Sequence, residues 1–318
     1  MMDNAWPHLD GVQRRAMIST VVGRRRRELL NLPNVLSIGE GIRVVNGKWT
    51  SDPCVRVFVR RKWKGHARRP GCVPEHLTTY LRIRGRRVSV SVPCDVEPMP
   101  ATRLHAGDGP CRAVLGEQAV TGTACCIVRA TGSSSKYLLG CNHVFGLTLR
   151  GPPLDPAQQP FSQVRISLDG RDVGHLHDYA YPAYYDAALA RLETNVAPTV
   201  RDNNQLRRLS GVAVDSLSIP ATYRILRGTG SSALVRYHSI TPWEQCGYGG
   251  AVSCYRFRRV LFSEYLEDPA GDGDSGSPIV DDAGYLIAMH FGGNDRFSVS
   301  FPIYDLLTAF ASDVRVVT

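Results

Sequence analysis

The chain has 318 residues, 43% of them hydrophobic, and a formal net charge of +9. That is enough for a full core and two domains, and thirty glycines with twenty prolines favour a turn-rich, strand-rich chain over a helical bundle. No apolar run approaches a bilayer span, and the first thirty residues lack an apolar core followed by a small-residue cleavage site, so neither a membrane span nor a secretory signal is expected and the chain reads as cytoplasmic.

Nine cysteines without scaffold-like spacing then read as mostly reduced, buried thiols. No CxxC pair points to zinc, and no cofactor is expected. The charge is unevenly placed. Residues 1–100 hold 19 Lys and Arg against 8 Asp and Glu, leaving 19 basic and 21 acidic side chains for the rest. All of the excess positive charge therefore lies in the first hundred residues. It points to an acidic protein or nucleic-acid partner for that part, with well-solvated surfaces as the plain alternative.

In chain order, Val12, Met17, Ile18, Val21, Val22, Leu29 and Leu30 form an apolar stripe between arginines, which predicts a helix over Gly11–Leu32, stopped by Pro33. Residues 1–32 thus read as a basic helix. Asn34–Val45 and Cys54–Arg61 read as strands joined by the turn Asn46-Gly47-Lys48; Leu81–Arg84 and Arg87–Val92, hinged at Gly85, read as a second hairpin. Residues 33–97 are expected to form a small α+β domain. Residues 98–111, in the proline- and glycine-rich run EPMPATRLHAGDGP, are expected to be a linker.

Beyond it, short strands recur at regular spacing: Thr123–Ala130, Lys136–Gly140, Gln163–Leu168, Gly174–Tyr179, Ala187–Leu192, Ala233–His238, Val252–Phe262, Pro278–Val280, Tyr285–Phe291 and Ser298–Pro302. They predict paired antiparallel barrels over residues 112–318, closed by a helix over Pro302–Ala311. Val196–Gly249, including Arg227-Gly228-Thr229-Gly230, receives no role.

One stretch carries chemistry. Gly273-Asp274-Ser275-Gly276-Ser277-Pro278 sets a serine between glycines, where a tight turn can aim the N–H groups of Gly273 and Ser275 at one point. A serine hydroxyl needs a base, and among nine histidines His143 follows the apolar strand Tyr137–Cys141. The base needs a carboxylate, and Asp186 opens the buried-strand pattern Asp-Ala-Ala-Leu-Ala-Arg-Leu. Asp178 is the runner-up; Asp155, Asp169 and Asp172 lie in polar or turn-like contexts. His175-Leu176-His177-Asp178 reads as a polar strand face before it reads as a metal site.

With Gly-Asp-Ser-Gly-Ser-Pro, Leu-Gly-Cys-Asn-His-Val-Phe and the Asp186 segment in the order His, Asp, Ser, residues 112–318 resemble the trypsin-like (chymotrypsin-fold) serine peptidases. The resemblance implies a mainly β fold of two antiparallel six-stranded barrels with a C-terminal helix, preceded here by the small α+β domain. It implies a serine endopeptidase that cleaves a protein or peptide substrate through Ser275, His143 and Asp186, with an oxyanion hole at Gly273 and Ser275. Substrate would lie along His290, Phe291, Gly292 and Gly293.

The text Ile-Ala-Met-His-Phe-Gly-Gly is similar to that of glutamyl endopeptidases, where a histidine at the place of His290 reads an acidic side chain. Ala270 departs from the hydroxyl those enzymes carry, and Pro269 stands where trypsin-type enzymes place an acid, with Asp268 adjacent. A preference for an acidic or small residue before the cleaved bond is one reading; a His290 that only packs in the barrel is the other. The resemblance also raises a disulfide between Cys125 or Cys126 and Cys141, against which thiols are expected. No Ile/Val-Val-Gly-Gly start follows the linker, so activation by a freed, inserted N-terminus is not expected. The N-terminal run Asn34-Val35-Leu36-Ser37-Ile38-Gly39-Glu40-Gly41 resembles that of intracellular trypsin-like peptidases with a small N-terminal strand domain, here read as a recruiting or restraining module. The rival reading is a catalytically silent double-barrel protein that only binds or scaffolds.

Overall fold

A computed structural model describes residues 5–46, 48–62, 72–83, 86–99, 103–105, 107–147, 161–180, 185–203, 205–213, 221–246, 254–310 and 313–318. Gly85 and Asp155 lie outside the described residues. The chain divides into two compact units, residues 1–100 with 238–242, and the remainder.

In the first unit, helix α1 (Gly11–Leu30) starts at Asp10, whose carboxylate accepts the Gln13 N–H while the Gln13 side chain accepts the Asp10 N–H, a reciprocal cap. Its buried face, Met17, Ile18, Val21 and Leu29, packs into a core with Ile38, Val55, Val57, Val90 and Val92. Strands β1 (Val35–Val45) and β2 (Lys48–Val59) pair antiparallel across Asn46, which takes the left-handed conformation the turn needs. β3 (His76–Ile83) and β4 (Arg86–Pro98) pair likewise, and β4 runs parallel to β2. Arg56 is buried here, its guanidinium on Asp95 (3.0 Å), Glu97 (3.2 Å) and the Ile42 carbonyl. Residues 238–242 complete this unit: Ile240 and Ser239 pair with Glu40 and Gly41 of β1, and the His238 ring meets Glu97 at 3.0 Å.

The second unit begins with β5 (Arg103–Leu104), β6 (Cys111–Leu115), β7 (Gln118–Gly122), β8 (Ala124–Ala130) and β9 (Lys136–Gly140), followed by the one-turn helix α2 (Asn142–Phe145). Next come β10 (Arg165–Leu168), β11 (Arg171–Tyr179), β12 (Ala188–Leu192), β13 (Thr199–Asp202), β14 (Gln205–Arg208) and β15 (Gly211–Val212). It ends with β16 (Thr222–Leu226), β17 (Ser232–Cys246), β18 (Cys254–Tyr265), β19 (Pro278–Val280), β20 (Tyr285–Gly293), β21 (Phe297–Pro302), helix α3 (Ile303–Ala309) and β22 (Val314–Val316).

Six of these strands close a ring, β16-β19-β20-β21-β18-β17 and back to β16. This is one of the two barrels expected. The other set forms an eight-stranded antiparallel sheet in the order β22-β8-β9-β12-β11-β10-β6-β7, with no closing pair among the described residues. The fold is mainly β, with a helix near the C-terminus, as composition and strand spacing implied. Its extra strands arise at β5, β6 and β7, inside and just after the expected linker, at β13 to β16, in the stretch that had no role, and at β22 after the closing helix.

The β19–β20 hairpin turns where expected, at Asp281–Gly284; the Asp281 carboxylate accepts the N–H groups of Ala283 and Tyr285. Phe257, Phe291 and Phe301 pack edge-on and stacked inside the ring, with Phe291 and Phe301 centroids 4.2 Å apart. Among the described residues no helix is long and apolar enough to cross a membrane.

Candidate active site

Ser275 sits where the ring faces the second sheet. Its turn needs two glycines with positive φ, Gly273 at 94° and Gly276 at 99°. A Cβ on the first would overlap the Asp108 carbonyl, and one on the second the Thr123 carbonyl. The sheet grips the turn directly, Thr123 N–H donating to the Ser275 carbonyl at 2.7 Å.

His143 lies in α2, directly after β9, and is fully buried. Asp186 precedes β12, the neighbour of β9, and so arrives beside it. One Asp186 oxygen accepts the backbone N–H of His143 at 2.8 Å, and the other pairs with His143 Nδ1. This double hold fixes the ring and places its proton on Nδ1, leaving Nε2 to accept. Nε2 lies 2.8 Å from Ser275 Oγ. The structure thus brings together Ser275, His143 and Asp186 from the three separate segments singled out in the sequence. Asp178 lies elsewhere, its carboxylate on the N–H of Tyr179. Asp169 pairs with Arg201. His175 pairs with Glu193 (2.9 Å), and His177 packs against Tyr137.

Cys141, His143 and Asp186 have ligand atoms within 4.8 Å of one another. The His143 and Asp186 atoms are committed to each other. Burial pushes the Cys141 thiol well up, so a thiolate ligand is disfavoured. Cys125, Cys126 and Cys141 are all buried free thiols, as are Cys54, Cys94 and Cys111, the last three pushed up to about 12 by burial.

Asp274 has its own support. Burial raises its carboxyl above the usual range, opposed by a hydrogen bond from Gly271 N–H (2.9 Å) and by the charge of Arg227. Arg227, in the stretch without an expected role, also donates to the Asp268 carbonyl. The turn under Ser275 is therefore held by groups already in place.

Of the expected substrate wall, the Phe291 carbonyl lies 2.9 Å from Ser275 Oγ, whose single proton is directed to His143 Nε2, while the Phe291 ring belongs to the core. Gly292 and Gly293 face β5, which adds to β20 as an antiparallel strand, Leu104 opposite Gly292 and Arg103 opposite Gly293. His290 is buried, with Nδ1 2.8 Å from Ser298 Oγ and Nε2 3.0 Å from His105 Nδ1. Burial first, then the nearby rings of His105 and His143 and the charge of Arg227, hold its pKa well below the usual imidazole value. Asp268 is exposed.

His105 is the participant the sequence reading missed. Its carbonyl oxygen receives both N–H groups of the Ser275 turn, Gly273 at 2.6 Å and Ser275 at 3.2 Å. Its own N–H donates to Ser275 Oγ at 3.2 Å, and its ring is buried beside His290. A cavity of about 710 Å³ is lined by Cys125, Cys126, Leu138 and Arg227, but not by His143, Asp186 or Ser275. The space before Ser275 is taken by His105. No residue pattern flags such a segment, since its role is carried by a backbone carbonyl.

No protein-family model and no curated protein matches the chain. Similar solved structures include a glutamic-acid-specific serine protease described as using a histidine triad in substrate binding (18% identity, 66% of this chain and 99% of the other, TM-score 0.46). Thermobifida fusca protease A follows at 16% identity, 66% and 97% coverage and TM-score 0.46; Cellulomonas bogoriensis chymotrypsin at 12%, 66% and 97%, and 0.42.

Proposed function

We propose that the chain is a serine endopeptidase acting through an acyl-enzyme. The observation that carries the reading is the continuous hydrogen-bonded series from Asp186 through His143 to Ser275 Oγ, with two N–H groups of the same turn converging on one carbonyl oxygen. His143 Nε2 takes the Ser275 proton as Oγ adds to the substrate carbonyl carbon. Asp186 stabilises the imidazolium without taking its proton. Gly273 and Ser275 N–H groups bind the oxyanion, each such donor being worth roughly 3–4 kcal/mol. His143 then protonates the leaving amine, and water resolves the ester with the roles reversed.

The residue before the cleaved bond would place its side chain beside His290, whose Nε2 is available for one hydrogen bond. Held neutral by burial, His290 suits an acceptor: an acidic side chain, or the imidazole now there. The basic first unit is read as a module for recruitment by an acidic partner. Hydrolysis of a peptide mixture by full-length protein, with Ser275→Ala as control, tests the peptidase reading. Identical fragments from the mutant would contradict the assignment of the nucleophile.

A further inference from the structure

We propose that the chain cleaves itself after His105, an inference that rests on the peptidase reading above. Five observations coincide. Arg103 and Leu104 extend β20 as an added strand, the way a peptide docks on a sheet edge. The His105 carbonyl lies where both N–H groups of the Ser275 turn point. The His105 ring fills the buried site beside His290. Past the bond, Gly107 N–H donates to the Thr121 carbonyl at 3.1 Å, and Thr121 Oγ1 donates back to the Gly107 carbonyl. A Cβ on Gly107 would lie 2.6 Å from Asp272 Cβ, so the path admits the bare backbone of a glycine.

The chain is thus anchored on both sides of one carbonyl. A loop folded over the site as a plug has no need to offer its carbonyl to both oxyanion donors. A bound substrate does.

The step balances with water alone. Ser275 Oγ adds to the His105 carbonyl carbon as its proton passes to His143 Nε2. The bond to the Ala106 nitrogen breaks as His143 returns that proton to the amine. Water, deprotonated by His143, then hydrolyses the Ser275 ester. Residues 1–105 end in a His105 carboxyl, and Ala106 gains an amino group. Asp274 already accepts the Gly271 N–H at 2.9 Å, so the new amine is not required to order the turn. Cleavage instead uncovers β20 and the site beside His290 for other peptides.

The test follows full-length wild type and Ser275→Ala by intact-mass spectrometry under denaturing conditions. His105→Pro, which removes the N–H given to Ser275 Oγ and the imidazole, is assayed alongside on a peptide mixture. Wild type is expected to appear as 1–105 and 106–318, and Ser275→Ala as one mass, a complete loss of both fragments. On native gel filtration the two fragments should co-elute, because residues 238–242 pair with β1 in the first unit. His105→Pro should stay whole at residue 105 and hydrolyse peptides. A wild-type chain that stays whole while His105→Pro hydrolyses peptides overturns self-cleavage and leaves the peptidase reading standing. If wild type stays whole and neither protein hydrolyses peptides, both readings fall. A split at another bond, or one that persists in Ser275→Ala, also overturns the proposal.

Discussion

Replacing Asp186 by Asn changes one atom of a nearly buried carboxylate and tests the tautomer argument. In the native site one oxygen accepts the His143 backbone N–H at 2.8 Å while the other accepts from Nδ1. An asparagine that keeps the first bond must turn its NH2 toward Nδ1. The imidazole then accepts there and carries its proton on Nε2, 2.8 Å from Ser275 Oγ, where it can no longer take the serine proton. The opposite amide orientation sets NH2 against the His143 N–H and leaves a buried donor unsatisfied, at about 1–3 kcal/mol. The first orientation therefore wins. The expected fall in kcat is about 10⁴-fold, roughly 5.5 kcal/mol of barrier, with KM little changed. The assay is peptide hydrolysis in the His105→Pro background, which in both proteins lacks the imidazole and the N–H that residue 105 places in the site, with thermal melts to show an intact fold. A folded Asp186→Asn protein within about tenfold of its parent would refute the tautomer argument, since one tenfold step is only ~1.4 kcal/mol.

Gly273→Ala should lower kcat by about 10²–10³-fold and lower the melting temperature, because its φ of 94° and the Asp108 carbonyl leave no room for a methyl group while one N–H of the proposed oxyanion hole loses its aim; steady-state kinetics with a melt checks both. His290 is held neutral by burial, so between pH ~6.5 and its lower folded value the unfolded chain binds the extra proton and stability falls as pH falls, by up to about 1.4 kcal/mol per pH unit. Urea melts of Ser275→Ala at pH 7.5 and 5.5 should show that slope, and adding His290→Gln should remove it, apart from the contribution of His177, which shifts the same way. Arg56→Ala leaves Asp95, Glu97 and the Ile42 carbonyl without their buried guanidinium and should cost about 3–5 kcal/mol, read from denaturant unfolding of the first unit.

Local chemistry was legible in the sequence. The glycine-flanked serine, the histidine after an apolar strand and the aspartate opening another meet in space, and the Asp281–Gly284 turn joins the strands it was expected to join. Long-range pairing was not legible. Whether six strands close into a ring or stay in an open sheet depends on which edges meet. The pairing of residues 239–240 with β1, some two hundred positions away, has no local signature. β6 and β7 were missed because Cys111–Gly122 directly follows a proline- and glycine-rich run that reads as linker. His105 was missed for a deeper reason: any residue supplies a carbonyl, and only the fold brings this one to Gly273 and Ser275.

The central claim is that Ser275 is made nucleophilic by His143, and covalent capture tests it most directly. A fluorophosphonate added to His105→Pro protein should give one adduct, mapped to Ser275 by peptide mass spectrometry, with capture slowed by orders of magnitude in the added His143→Ala variant. No adduct in folded His105→Pro protein, or equal capture rates with and without His143, would contradict it.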